Sequence, residues 1–379
     1  VVTPVPLVDV AAAQASVAAD VLAELGRIVE GGRFVLGPRV EAFERWLAAE
    51  CGVGHAIGVA SGTDAIELSL RALDVGPGDA VVTPSFSFVA AAEAIAATGA
   101  RPSFCDVDLA TMNATGTSVA EASARAVQAG LRPRAVVPVH LFGRCAPMAD
   151  IMAIAEREGL AIVEDAAQAI GARGVGGAPV GGAGRAGCFS FFPSKNLGAW
   201  GDGGAVVTAD DALAARVRRL RTHGAVAPYV HAELGRNSRL DAIQAAVLLA
   251  KAPHIDAWAS ARERIAEGYA RGLRHLPLVL PTPARSPERH GWHAYVVRVP
   301  QGRDALAAWM RKRGIETRVY YPAPLHRQAA FQGADAIEAD LPAADEACRT
   351  ALALPMFPTL TEEQQASVVD AAASFFAGR

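Results

Sequence analysis

Residues 188–204 read Cys188-Phe-Ser-Phe-Phe-Pro-Ser-Lys-Asn-Leu-Gly-Ala-Trp-Gly-Asp-Gly-Gly204. Phe189, Phe191 and Phe192 make the lead-in apolar and predict a buried strand. A glycine-rich turn leads out, and Gly204-Ala-Val-Val-Thr208 predicts a second strand. Lys195 therefore stands on a tight loop between two buried strands. Lysine is seldom buried without a partner, so the position has two readings. One is a lysine that forms a Schiff base with a carbonyl cofactor. The other is a surface lysine at a hairpin tip, and the stretch alone leaves both open.

The flanking sequence alternates strand and helix patterns. Apolar runs at 56–60, 80–83, 102–106, 135–139 and 160–164 are separated by segments with helical spacing, such as Ile66, Leu68, Leu70 and Leu73. Continuous apolar strands of this kind predict a mostly parallel sheet covered by helices on both faces, an α/β fold. Ligands of such sheets sit beyond the carboxyl ends of the strands. Ser61, Phe88, His140 and Asp165 all fall there. Farther on, 210–222 reads as an arginine-rich helix, and 235–247 as a turn entering a buried helix that Pro253 interrupts. A long amphipathic helix covers 255–273, and 276–291, rich in Pro and charge, reads as a flexible join. Two strands (294–299, 317–320) and helices at 304–313, 345–353 and 362–376 then predict a smaller α+β domain. The expected division is a large cofactor-binding domain, 1–252, and a small C-terminal domain, 253–379.

The totals narrow the function. The 379 residues are 51% hydrophobic and 20% charged, the balance of a compact protein with a large core. A net charge of −3 suggests neither a nucleic-acid nor a membrane partner. Five cysteines, with no CxxC pair, predict neither a disulfide framework nor a metal site, and fit a reducing cytoplasm. The opening residues carry no secretory signal pattern. The most apolar stretch, 86–97, is interrupted by Glu93 and is too short to span a bilayer.

Asp165, with Gln168 three residues later, precedes Lys195 by thirty residues. A pyridoxal phosphate site needs such parts. Lysine supplies the Schiff base, and a carboxylate keeps the pyridine nitrogen protonated so that the ring can take up electrons. The phosphate needs N–H groups and hydroxyls, which Gly62, Thr63 and Ser190 offer at a strand–turn–helix junction. Phe88 is the candidate for the ring face. Singly, each has an ordinary reading: Asp165 as a helix cap, Gln168 as surface, Ser190 as a strand hydroxyl, Phe88 as core. In this order they point to the cofactor.

Nearly end to end the chain resembles the DegT/StrS family of sugar-nucleotide aminotransferases, which have the aspartate aminotransferase (type I) fold. The resemblance rests on Gly37-Pro38, Ser61-Gly-Thr-Asp-Ala65, Pro84-Ser-Phe-Ser-Phe88, Glu164-Asp-Ala-Ala-Gln168 and the run from Ser190 to Gly204. It extends through Asn237-Ser-Arg-Leu240, Tyr321-Pro-Ala-Pro-Leu-His326 and Leu354-Pro-Met-Phe-Pro358. It implies that Lys195 holds pyridoxal 5'-phosphate and moves the proton, that Asp165 pairs with the pyridine nitrogen and that Gln168 lies near the ring oxygen. Gly62, Thr63 and Ser190 would hold the phosphate, and Phe88 would take the stacking position where some relatives have Trp or Tyr. Asn237 would reach the phosphate of a neighbouring subunit, making a homodimer with shared sites. Some relatives carry His in place of the lysine and become dehydratases, which Lys195 opposes.

The implied reaction is ping-pong, from L-glutamate to a nucleotide-linked ketosugar (dTDP or UDP), toward amino sugars of antibiotics or surface polysaccharides. The lysine loop is more similar to members that aminate 3-ketosugars than to many 4-keto enzymes. Arg239, Tyr320, Tyr321 and His326 are candidates for sugar, diphosphate or glutamate contacts, or else interface residues. Two competing readings are a non-catalytic pyridoxal-phosphate-binding regulator, which the Lys195–Asp165 pair opposes, and a dinucleotide oxidoreductase, for which no GxGxxG follows the early strand.

Overall fold

The computed structural model describes residues 4–333 and 336–378. Seven strands form the central sheet: β1 (His55–Val59), β2 (Asp79–Pro84), β3 (Arg101–Cys105), β4 (Arg132–Val136), β5 (Ala161–Asp165), β6 (Ala186–Ser190) and β7 (Gly204–Thr208). Their order is β1-β7-β6-β5-β4-β2-β3, and only β7 runs against the others. Adjacent residues in one strand enter cores on opposite faces. Val81, Val163 and Val206 join the helices Gly62–Ala72, Ala90–Ala97 and Asp211–Leu220. Their neighbours Val82 and Ile162 face the helices Gly116–Gln128 and Met148–Glu158, and Val207 faces the helices Pro38–Cys51 and Ala242–Lys251. This is the two-faced burial that continuous apolar strands predict. The carboxyl ends of β1, β2, β4, β5 and β6 share one edge, and the lysine loop leaves β6 there.

A short hairpin, β8 (Ala225–Ala227) with β9 (Val230–His231), stands apart from the sheet. Farther along, β10 (Tyr295–Arg298) pairs antiparallel with β11 (Ala351–Leu354). The helices Ile255–Leu273, Arg303–Lys312 and Glu362–Ala377 pack around this pair, over a core that includes Tyr269, Tyr295, Leu306, Leu352 and Val368. The start of the chain joins the same unit, since Val5 exchanges backbone bonds with Gly314 and Glu316, both 2.9 Å.

Three expectations fail here. Residues 317–320 do not form a strand and meet the sheet at one bridge, Arg318 to Ala353. Pro322 and Pro324 follow and cannot extend a ladder. The helix expected at 345–353 ends at Thr350, and Ala351–Leu354 becomes β11. Ala-Leu-Ala-Leu has no polar residue to betray its period, so pairing with β10 overrides its helical preference. The segment 276–291 is tied down rather than loose: Val279 pairs with Arg298, and Arg289 with Arg173.

Candidate active site

Lys195 projects from a loop whose shape is set by its own backbone. Its N–H donates to Phe192 O at 2.8 Å, and Ala199 N–H to Phe191 O at 2.7 Å. Gly198 is pressed so close to Pro193 O that a Cβ would stand 2.3 Å from it. Side chains brace the loop from behind. Lys251 donates to Gly198 O, Trp200 N–H donates to Gln244 Oε1 at 2.8 Å, and the Trp200 indole donates to Gln14 Oε1 at 2.5 Å. The Lys195 amine makes no hydrogen bond to a described residue. Burial pulls it down to about 8, against the opposing charge of Asp165.

Asp165 ends β5 and pairs with Cys188 on β6, two residues before Ser190. Ala167 N–H donates to its Oδ1 at 3.0 Å. Oδ2 accepts from no described group. Burial pushes this carboxyl up, opposed by that N–H and by the charge of Lys195. Beside it, Glu164 accepts from His140 Nε2 and Gly181 N–H, both 3.0 Å, and from the N–H groups of Ala183 and Gly184 at 2.8 and 2.7 Å. Burial raises the Glu164 carboxyl, but these donors outweigh it and hold it below the ordinary carboxylate range. His140 Nδ1 accepts Ala146 N–H at 3.0 Å, so Nε2 carries the proton.

The helix Gly62–Ala72 begins at this edge with Ser61 as its cap, whose Oγ accepts Asp64 N–H at 3.1 Å. The N–H groups of Gly62 and Thr63 donate to no described group, as expected of a first helical turn. Ser190 abuts them: a Cβ on Gly62 would come within 2.7 Å of Ser190 Cβ. Gly204, where β7 starts, is equally constrained, since its Cβ would meet Ser61 O at 2.2 Å. Two free N–H groups and a hydroxyl therefore converge at the positive end of a helix dipole.

Gln168 bridges two elements, accepting Phe142 N–H at 2.7 Å and donating to the Tyr321 hydroxyl at 3.2 Å. Tyr321 packs against Phe86, Phe142 and Phe88, with centroids 5.8, 6.4 and 6.5 Å away, and Tyr320 stacks on Phe142 at 6.3 Å. Phe88 keeps most of its ring exposed. His326 is drawn to Ser85. Ser85 Oγ accepts the backbone N–H of His326 at 3.1 Å and lies within hydrogen-bond distance of His326 Nδ1, 2.7 Å away. Asn237 and Arg239 lie on an extended segment and make no hydrogen bond or ion pair with a described residue.

Sequence reasoning missed Asn196 and His293. Asn196 Nδ2 donates to Gly291 O at 2.6 Å, and its Oδ1 lies 3.3 Å from His293 Nδ1. Asn196 had a usable signal, its place beside the lysine. His293 had none, because nothing in the pattern around β10 places it at the sheet edge.

The residues fit pyridoxal phosphate. The unpartnered Asp165 oxygen suits a pyridinium N–H, the Gly62–Thr63–Ser190 cradle suits a phosphate, and a lysine held near 8 suits a carbonyl carbon. Comparisons with known proteins give the family. The family model described as the DegT/DnrJ/EryC1/StrS aminotransferase family matches residues 16–373. A UDP-N-acetyl-3-dehydro-alpha-D-glucosamine 3-aminotransferase of Acidithiobacillus ferrooxidans is 44% identical, over 97% of this chain and 96% of its own. A pleiotropic regulatory protein of Geobacillus stearothermophilus is 43% identical, over 98% of each chain. Among solved structures, Streptomyces venezuelae DesV in complex with a ketimine intermediate superposes with a TM-score of 0.92 at 42% identity, covering 98% of both chains. On this match of family model, fold and near-complete length, the chain belongs to the DegT/DnrJ/EryC1/StrS aminotransferase family, enzymes of the type I fold that work with pyridoxal phosphate.

Proposed function

We propose that this aminotransferase moves the amino group of L-glutamate to a ketosugar carried on dTDP or UDP, and that a 3-keto sugar is favoured over a 4-keto one. The reading is carried by the convergence of Lys195, Asp165 and the Gly62–Thr63–Ser190 cradle on one sheet edge. Pyridoxal phosphate, when bound, supplies the electron sink that lets an amino group leave one carbon and join another. Lys195 holds it covalently and, once released, carries the proton. Asp165 keeps the ring nitrogen protonated, and a charge-assisted bond of this kind is worth roughly 1.5–3 kcal/mol. Gln168 would lie near the ring oxygen, and Phe88 would take the ring face. Tyr320, Tyr321, Arg239 and His326 are the candidates for substrate contacts. In this reading 1–252 binds the cofactor, apart from the opening residues that pair with Gly314 and Glu316, and 253–379 forms the smaller unit. The similarity to the A. ferrooxidans 3-aminotransferase supports the sugar class and the keto position. Purified enzyme, loaded with cofactor and given glutamate with a panel of dTDP- and UDP-linked ketosugars, should form 2-oxoglutarate with at least one 3-keto sugar. Turnover of none of them would reject the reading.

We further propose a cytoplasmic homodimer with shared sites. Five free cysteines fit a reducing compartment, and among the described residues no helix is long and apolar enough to cross a membrane. The segment 236–240 alternates as an extended chain does. Arg236 pairs with Glu67 at 2.8 Å, Ser238 donates to Asp64 at 2.6 Å and Leu240 is buried against Gly58, whereas Asn237 and Arg239 point away unpartnered. Nearby, Tyr229 and Leu234 are 97% and 92% exposed, apolar surface that one chain leaves uncovered. Subunit exchange tests this. A Lys195→Ala chain mixed with an Asn237→Ala, Arg239→Ala chain concentrates both lesions in one site of the heterodimer and restores the other. Activity should return toward half of wild type per heterodimer. No recovery after demonstrated exchange would reject sharing.

A further inference from the structure

Along 236–240 the even residues hold the segment to its own chain and the odd ones face away. What fixes the even residues therefore decides where Asn237 aims. Arg236 reaches Glu67 Oε1 through Nε at 3.0 Å and Nη2 at 2.8 Å, but its side chain is 49% exposed, and an ion pair so placed contributes little. Leu240 is buried beside Gly58 and offers packing without direction. Ser238 differs from both. It is fully buried. Its hydroxyl donates to Asp64 Oδ2 at 2.6 Å and accepts the N–H of Ala60 at 3.1 Å. Its own N–H donates to Arg221 O at 2.9 Å. Arg221 is anchored in turn, donating to Glu44 Oε1 at 2.6 Å and to Gly58 O at 2.8 Å.

The two partners of the Ser238 hydroxyl stand on either side of one turn. Ala60 follows β1, and Asp64 is the third residue of the helix Gly62–Ala72. Between them lie Gly62 and Thr63, whose N–H groups form the proposed phosphate cradle. Ser238 thus spans that turn, and its bond to a carboxylate is of the short, charge-assisted kind. Without the hydroxyl, Asp64 Oδ2 and the Ala60 N–H lose this partner. The Asn237 side chain, one residue away, has no partner among the described residues. Its direction comes from the backbone alone, and an extended backbone that slips by one residue turns its side chains to the opposite face.

We propose that Ser238 is a positioning residue for the neighbouring subunit's cofactor: held by Asp64 and Ala60 of its own chain, it aims Asn237 at the phosphate bound in the partner's site. The turn that cradles one phosphate is thereby the platform for the donor that completes the other. The inference rests on the shared-site reading above and adds the group that fixes the crossing segment.

Mixed dimers, purified through two different affinity tags, isolate this role. When one chain carries Lys195→Ala and the other keeps Lys195, a single site can attach the cofactor through lysine. That live site takes its cradle from the chain with Lys195 and its Asn237 from the Lys195→Ala chain. The visible band of lysine-bound pyridoxal phosphate therefore titrates the live site alone, and turnover reads the same site. Ser238→Ala placed in the Lys195→Ala chain should raise the half-saturating pyridoxal phosphate concentration about tenfold, the scale of one misplaced donor to a charged group. Once cofactor saturates, kcat should change little. The same substitution placed in the other chain should leave the titration unchanged. Asp64→Ala in the Lys195→Ala chain should match Ser238→Ala there, and the two together should cost no more than either alone, because they break one bond. No change from Ser238→Ala in the Lys195→Ala chain, equal changes from both placements, or additive effects of the two substitutions would overturn the proposal. Should Ser238→Ala fail to fold, Asp64→Ala in the Lys195→Ala chain decides, and an unchanged titration there rejects the role. Asn237→Ala in the Lys195→Ala chain is the reference. If it left the titration unchanged, the shared-site reading itself would fall, whereas an effect of Asn237→Ala without one of Ser238→Ala would remove only the role of Ser238.

Discussion

Lys195→Ala should fold, bind pyridoxal phosphate noncovalently and lose turnover by about 10³-fold or more. The fold is spared because the loop is set by backbone bonds at Phe191 and Phe192 and braced by Lys251, Gln244 and Gln14, none of which uses the lysine side chain. The proposed phosphate cradle, Gly62, Thr63 and Ser190, is untouched, so the variant should take up cofactor and release it on dialysis. What disappears is an amine held by burial at about 8, where a usable fraction is unprotonated near neutrality. A positioned acid–base group contributes roughly 10²–10⁴-fold, and covalent capture adds to that. The measurements are turnover with glutamate and the visible absorbance of the bound cofactor before and after dialysis. A variant that kept a tenth of the activity would show that another amine carries the reaction.

Asp165→Ala and Asp165→Asn should slow the half-reaction with glutamate by roughly 10²–10³-fold, the range seen when one preorganised charge partner is removed from an active site. The backbone at this position is independently secured. His140 N–H donates to Asp165 O at 3.0 Å, and Asp165 N–H to Pro138 O at 2.9 Å. The substitution therefore removes charge without moving the strand end. In the bare site burial raises the carboxyl, and a pyridinium N–H at its free oxygen is the partner that would bring it down. Without that anion the ring nitrogen loses its proton and takes up electrons poorly. Cofactor should still bind through its phosphate. Single-turnover measurement of pyridoxamine phosphate formation checks this, and near-normal rates in Asp165→Ala would mean that another carboxylate holds the ring nitrogen.

The large sheet was legible because its strands are continuous apolar runs, each followed by a loop of polar and glycine residues. Strand order was not, since β7, which returns antiparallel beside β6, pairs on its other side with β1 across more than a hundred residues. The smaller unit was read less well. Ala351–Leu354 has no polar residue to mark its period, and Thr317 to Tyr320 pairs at one point before the prolines. The same contrast governs the site. Lys195, Asp165, Gly62, Thr63 and Ser190 each follow or end a strand, so pattern alone gathers them at one edge. Asn196 and His293 meet through the packing of β10's approach against the lysine loop, a contact between segments about a hundred residues apart. His326 was marked for its chemistry, but its Nδ1 is taken up by Ser85. The arginines of 210–222, read only as an arginine-rich helix, are largely paired: Arg216 and Arg219 with Glu233, and Arg221 with Glu44.

The central claim is that Lys195 is the residue that holds the cofactor. Borohydride reduction of the holoenzyme fixes the cofactor to its lysine, and proteolysis with peptide mass mapping then identifies that residue. The account predicts a single modified peptide, carrying the pyridoxyl group on Lys195 within Phe-Phe-Pro-Ser-Lys-Asn-Leu-Gly. Label on Lys251 or Lys312, or no label at all, would contradict it.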